Sequence, residues 1–229
     1  DDLNIDGPGG GRITIDANGN SDVFAVTDFD NGINRIVNIG GLRFINGNAF
    51  EDGAIVNYEI LTVFRCEFIN NSATLGGGAI GNRNILTVDS CFFDSNFAPD
   101  GGAIMNYEEA ISLSILNSKF VNNLAVGGAI DNVGRGGAIH NRGRTELITS
   151  SAFTDNTAIS GGAIHNAPEG TIKEISHSTL NNNITTGKGG AITNSCGFIE
   201  TIVNSTFTEN RARSGGAIWN DGIINISFT

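Results

Sequence analysis

Apolar and polar positions alternate with a period of two along much of the chain. Examples are ILTVFRCEF (60–68), ILTVDSCFF (85–93), ISLSILNSKF (111–120) and IETIVNSTF (199–207). These runs are rich in β-branched residues and predict short strands, each half-facing a core. Glycine pairs punctuate them, and inside a helix each glycine would cost about 1 kcal/mol. The elements are therefore strands and tight turns.

The punctuation itself repeats. It reads DGAIVN (52–57), GGAIGN (77–82), GGAIMN (101–106), GGAIDN (127–132), GGAIHN (136–141), GGAIHN (161–166), GGAITN (189–194) and GGAIWN (215–220). A second motif falls between most neighbouring copies: FINN (68–71), FDSN (93–96), FVNN (120–123), FTDN (153–156), LNNN (180–183) and FTEN (207–210), with a weaker FING at 44–47. The longest interval carries an extra GGAIDNVGR. A period in this range means stacked units, and two or three strands closed in about 25 residues make one rung of a parallel β-helix. We therefore expect an all-β, parallel β-helix (β-solenoid) of about eight rungs, a rod about 40 Å long at the usual strand spacing. It forms a single domain over 1–229. Residues 1–43 are divergent entry rungs, 44–220 carry the repeats with an insertion near 131–144, and 221–229 are an incomplete last rung.

Stacking predicts columns of equivalent residues. Phe68, Phe93, Phe120, Phe153 and Phe207 form one, with Leu180 standing in once. Five residues earlier lies an aliphatic column, Ile39, Val63, Val88, Ile115, Ile148, Ile175 and Ile202. Two residues earlier lie Leu42, Cys66, Cys91, Ser118, Ser151, Ser178 and Ser205, nearly all small. Asn71, Asn96, Asn123, Asn156, Asn183 and Asn210 form an asparagine column, and Asn82, Asn106, Asn141, Asn166, Asn194 and Asn220 a second. Stacked amides at a turn bond both backbone and the next amide, which makes them tolerable inside. Seven residues before the Phe, an aliphatic column gives way to Glu146, Lys173 and Glu200, which predicts a one-residue strand shift and a charge ladder facing water.

Composition narrows the function. Hydrophobic residues are 39% of the 229, enough for a core, and charged residues only 16%. A net charge of −11 disfavours nucleic acid as a partner. No apolar run reaches the length of a membrane-spanning helix, so this segment is not expected to insert in a membrane. Three cysteines are too few for a disulfide scaffold and lack zinc spacing.

The GGAI and FxxN repeats resemble the polymorphic outer-membrane-protein repeat of bacterial surface proteins. The opening LNIDGPGGGRITIDANGNSDVFAV is similar to the entry rungs of large secreted β-helix proteins. The resemblance covers nearly the whole chain and implies a right-handed β-helix on the bacterial cell surface or outside the cell. There it would serve as a structural or adhesive rod meeting glycans or the surface of a host or neighbouring cell. No transporter barrel or anchoring region is present, so a mode of attachment is not implied.

Candidate chemistry is sparse. His140 and His165 hold the variable position of GGAIxN, where period two points them outward. Stacked about 5 Å apart, they either chelate a transition metal or occupy an ordinary surface position. Cys66 and Cys91 share a column and read either as a disulfide or as small buried fillers. Asp16, Asn18, Asn20 and Asp22, with Asp28 and Asp30 following, alternate like the start of a calcium loop or form a polar turn. Calcium is the single cofactor they suggest. The insertion gathers Asp131, Arg135, His140, Arg142 and Arg144, the one concentration of mixed chemistry, and makes a carbohydrate-binding or carbohydrate-cleaving β-helix the alternative function. With acids otherwise scattered, no catalytic residue is assigned. Neither end shows a capping helix, so the expected partners include further rungs of a longer chain, or other copies stacked head to tail into a filament.

Overall fold

The computed structural model describes residues 2–8, 13–27, 34–127 and 134–227. Every strand pairs in parallel with its equivalent one rung away, giving a β-solenoid of four stacked sheets. Sheet I has nine strands, from Leu3–Asp6 to Ile223–Ser227, and sheet II has eight, from Ile13–Asp16 to Thr206–Thr208. Sheet III has six short strands, from Asn48–Ala49 to Ile184–Lys188, and sheet IV eight, from Phe24–Val26 to Ile218–Asn220. The chain visits sheets I, II, III and IV in turn, and the GGAIxN motif ends in the sheet IV strand.

Single residues in left-handed conformation make the two sharp corners on either side of sheet II. Arg65, Ser90, Asn117, Ser150, His177 and Asn204 turn the chain from sheet I, with φ between 49° and 55°. Asn70, Ser95, Asn122, Asp155, Asn182 and Glu209 turn it toward sheet III. Asparagine and aspartate tolerate this conformation best, and four of these six residues at the second corner are of those types. The glycine pair answers two separate demands. Its first member, such as Gly161 at φ +68°, supplies a left-handed turn. Its second is needed for close approach: a Cβ on Gly137 would stand 2.1 Å from the carbonyl oxygen of Gly162 in the next rung.

The interior follows the predicted columns. Phe44, Phe68, Phe93, Phe120 and Phe153 stack face to face with centroids 4.6–5.0 Å apart. Both asparagine columns are continuous. Asn96 donates from Nδ2 to Asn123 Oδ1 at 2.9 Å and to the Phe68 carbonyl at 3.0 Å, while its own backbone N–H reaches Asn123 Oδ1 at 3.1 Å. In the second column Asn106 Nδ2 meets Asn141 Oδ1, and Asn141 Nδ2 meets Asn166 Oδ1, each at 2.7 Å. The expected strand shift is a bulge: Leu113 pairs with Thr145 but Ser114 with Leu147. The extra residue is Glu146, which forms an ion pair with Lys173 at 3.0 Å on the outside.

The small-residue column has a job as well as a size. Cys66 N–H donates to Cys91 Sγ at 3.4 Å, Cys91 N–H to Ser118 Oγ at 3.0 Å, and Ser118 N–H to Ser151 Oγ at 3.2 Å. Both Cys66 and Cys91 are buried free thiols here. The backbone donors at this corner thus find side-chain acceptors one rung on.

Candidate functional site

After each sheet III strand the chain doubles back before entering the glycine pair. This returning arm lies over the outer face of sheet IV, so strands such as Ile80–Asn82, Ile139–Asn141 and Ile164–Asn166 are buried on both sides. The variable residue of GGAIxN points outward, but it meets the arm instead of water. His140 and His165, expected on an open surface, are therefore only 3% and 7% exposed. Period two gave their direction correctly; the covering arm was what the alternation could not announce.

The arm supplies their partners. The His140 and His165 rings stand perpendicular with centroids 5.1 Å apart. His165 Nδ1 is 3.1 Å from Ser160 Oγ, and Ser160 is the arm residue just before the glycine pair. His140 Nδ1 lies 3.3 Å from Asp100 Oδ1, within ion-pair distance but without hydrogen-bond geometry. Arg135 reaches the same Asp100 oxygen at 3.1 Å. Burial pushes both imidazoles down, His165 to about 3, with Arg135 adding to the effect on each. Burial works to raise the Asp100 carboxyl, but contacts with His140 and Arg135 outweigh it and hold it low. The histidines are thus neutral at physiological pH. Among the described residues, no set of three or more His, Cys, Asp or Glu side chains is placed to hold a metal ion.

A second network, which the sequence reading passed over, lies on the same covered face. Asp52 is fully buried, and its Oδ2 accepts from Arg83 Nη1 at 2.7 Å. Its Oδ1 accepts from the Gly77 N–H at 2.8 Å and the Tyr107 hydroxyl at 3.2 Å. The Arg83 guanidinium lies 3.8 Å from the Tyr107 ring centroid and 5.1 Å from that of Tyr58. It also reaches Glu51 at 3.2 Å and Glu109 at 3.7 Å. Burial pushes the Asp52 carboxyl up against the pull of Arg83, Gly77 and Tyr107. Burial and the Asp52 charge both push the Tyr107 hydroxyl up. Chemically this is a staple: a buried charge pair, stacked between aromatic rings, ties successive rungs together.

Two signals for it were in the sequence. DGAIVN is the one copy without glycine at its first position, and GGAIGN, the next copy, is the one with glycine at the variable position. They compensate: a Cβ on Gly81 would stand 2.0 Å from Asp52 Cγ, so the carboxylate fills the space a side chain would take. The residue after each motif asparagine gives the other signal, reading Tyr58, Arg83, Tyr107 and Arg142 in four of the described rungs.

The remaining candidates fall in separate places. Arg142 meets Glu108 at 3.2 Å and Glu169 at 3.9 Å at the corner between sheets IV and I. Arg144 pairs with Glu146 on sheet I, and Arg135 with Asp100 on the arm. The mixed chemistry of the insertion is thus spread over three faces, while Asp131 lies outside the described residues. Asp16 Oδ1 accepts from the Asn18 N–H at 2.8 Å and from Asn46 Nδ2 at 3.0 Å, bonds that hold its carboxyl low. Asn18 and Gly19 both have positive φ, so Asp16, Asn18, Asn20 and Asp22 occupy one exposed turn whose Asp16 oxygen is already engaged. Asp28 and Asp30 lie outside the described residues.

Residues 65–83, 150–167, 177–195 and 204–221 match the Chlamydia polymorphic membrane protein repeat. Each match runs from the left-handed corner before sheet II to the end of GGAIxN, the part of a rung that builds both the phenylalanine and asparagine columns and the covering arm. No curated protein and no solved structure matches the chain. The repeat is that of surface and structural proteins of the bacterial outer membrane and is not known for an enzymatic activity. This chain is a parallel β-solenoid, and four of its segments match the polymorphic membrane protein repeat.

Proposed function

We propose that this chain is a rigid rod on the bacterial cell surface that acts through its outer faces, as a structural or adhesive element. The observation that supports this is the use made of the interior. The phenylalanine and asparagine columns fill it from rung to rung, and even the buried charges, Asp52 with Arg83, are tied to neighbouring rungs. A continuous stacked core of this kind gives stiffness, and it leaves recognition to side chains on the sheet faces and corners. Antibody labelling of intact cells, before and after mild surface proteolysis, tests the location. Signal on intact cells that proteolysis removes is the expected result; signal only after lysis overturns the reading. Binding of the purified rod to glycan arrays and to cell monolayers then tests adhesion. Retention on neither would leave a structural role, for which electron micrographs of native material should show rods joined end to end.

A further inference from the structure

We propose that the covered face of sheet IV binds a soft monovalent metal ion, cuprous copper, through His140 and His165, with Met105 as third ligand. This goes beyond the surface-rod reading, because a rod can stand on a cell with or without a metal. Met105, His140 and His165 hold the variable position in neighbouring strands of sheet IV, where Met105 pairs with His140 and His140 with His165. Equivalent residues in such strands stand about 4.8 Å apart. All three lie beneath the arm, exposed by only 3%, 3% and 7%. A thioether and two imidazoles in one buried column are donors that suit a soft transition metal.

His140 gives the reason to look for a ligand here. Both of its ring nitrogens are buried without a hydrogen-bond partner, whereas buried polar atoms are ordinarily bonded. The polar groups nearest the two rings stand at Nδ1: Asp100 Oδ1 at 3.3 Å from His140, and Ser160 Oγ at 3.1 Å from His165. A metal-bound imidazole is held in this way, its far N–H steadied by a carboxylate or another acceptor while Nε2 takes the metal. A small turn of the His140 ring would complete its bond to Asp100. Burial keeps both rings neutral, which is the form that ligates. Met105 brings a flexible side chain whose sulfur can move toward the ion.

Charge and coordination choose the metal. Arg135 already meets the Asp100 carboxylate at 3.1 Å, so the covered space has little left to offset a buried dication. Structural zinc takes four ligands, and among the described residues no three His, Cys, Asp or Glu side chains gather to supply them. Cuprous copper carries a single charge, is satisfied by two or three ligands, and accepts imidazole and thioether together. Asp100 and Ser160 are half-buried, which gives the ion a short way in beside them.

Titration of the purified chain with Cu(I), under ascorbate and without oxygen, against a chromogenic Cu(I) chelator tests this. Cys196 is an exposed thiol that would take copper itself, so the parent and every variant carry Cys196→Ser. The expected result is one ion per chain, with X-ray absorption showing both nitrogen and sulfur bound to it. His140→Asn and His165→Thr should each weaken binding by about a hundredfold, and Met105→Leu by about tenfold with loss of the sulfur signal. His140→Met, which keeps a soft donor in place, should stay within about tenfold of the parent. Thermal melts without metal show that each variant is folded, and copper should raise the melting temperature of the parent but not of the His140→Asn chain. A parent that binds no stoichiometric copper overturns the proposal. So does binding that both histidine variants leave unaltered, which would put the ion on Cys66 and Cys91, and so does Zn(II) held as tightly as Cu(I).

Discussion

Asn141 and His140 are neighbours in the chain, and both are buried, yet they belong to different kinds of structure. Asn141 repeats what Asn106 and Asn166 do: each accepts from the amide before it and donates to the amide after it. His140 faces the arm, where its counterparts are Gly81 under a carboxylate, Met105, and Thr193 donating to the Lys188 carbonyl at 2.6 Å. One column is a single interaction copied along the rod. The other is a series of local solutions to the same covered space. Copying gives rigidity and a motif that can be read; variation gives each rung its own chemistry and hides it.

The copied interior should therefore be the least forgiving. Asn123→Ala removes the acceptor of both the Asn96 N–H and the Asn96 amide, and strips the Phe93 carbonyl and Asn156 Oδ1 of a donor. Several buried polar groups left unpaired should cost about 4 kcal/mol or more. Urea titration checks it. A loss under 1 kcal/mol would show that the asparagine ladder is decorative and the hydrophobic columns carry the rod.

On the covered face the strongest response should come from the staple. Arg83→Ala leaves the Asp52 carboxylate buried without its counter-ion, which should cost about 3 kcal/mol. The double variant with Asp52→Ala should recover part of that loss, because it removes the stranded charge. A double variant as unstable as the sum of the two singles would mean that the pair does not act as a unit.

What the sequence made legible divides along the same line. Repetition exposed every interior column, because stacking makes each rung repeat its demand for phenylalanine, an aliphatic, a small acceptor and an asparagine. It also located the bulge, since Glu146 interrupts an aliphatic column. The arm was invisible for a physical reason. It buries sheet IV from outside, using residues that vary from Asp100 to Arg135 to Ser160, so no period survives to be read. His140 and His165 looked like surface residues because alternation reports which side a residue faces and not what lies there. Only paired exceptions, such as Asp52 with Gly81, carried a trace of the covering layer.

The buried histidines make the covered face sensitive to acid. Their folded pKa values are depressed, so the unfolded chain binds protons more readily near pH 6. Their neutral form fits the fold, and its full contribution is present above the unfolded value of about 6.5. As pH falls below that, stability is lost by up to about 1.4 kcal/mol per pH unit for each histidine, levelling off below the folded values. Asp100, Arg135, Arg142 and Ser160 face the pair: Asp100 and Ser160 favour protonation, and the two arginines oppose it. Between pH 7 and 5.5 the wild type should lose about 2 kcal/mol more than a chain carrying His140→Asn and His165→Thr, the latter copying Thr193 of the next rung. Parallel pH profiles for the two chains would show that neither histidine is excluded from protonation.

The smallest expected effect is at Cys91, and it separates two readings of the cysteine column. As a thiol, Cys91 accepts from the Cys66 N–H and donates to the Asp89 carbonyl at 3.3 Å. Ser118, one rung on, makes the same two bonds with oxygen, accepting from Cys91 N–H and donating to the Leu116 carbonyl at 2.6 Å. Cys91→Ser therefore extends a serine column that already works, exchanging a larger, softer atom for a better acceptor. Stability should stay within about 1 kcal/mol of wild type, since a small loss of packing and a stronger hydrogen bond oppose each other. A disulfide to Cys66 would behave differently: its removal should cost about 2–4 kcal/mol, and intact mass under non-reducing conditions would show two protons fewer in the wild type. The same pair of measurements thus decides whether this corner of the rod is held by a hydrogen-bonded column or by a covalent bond between its rungs.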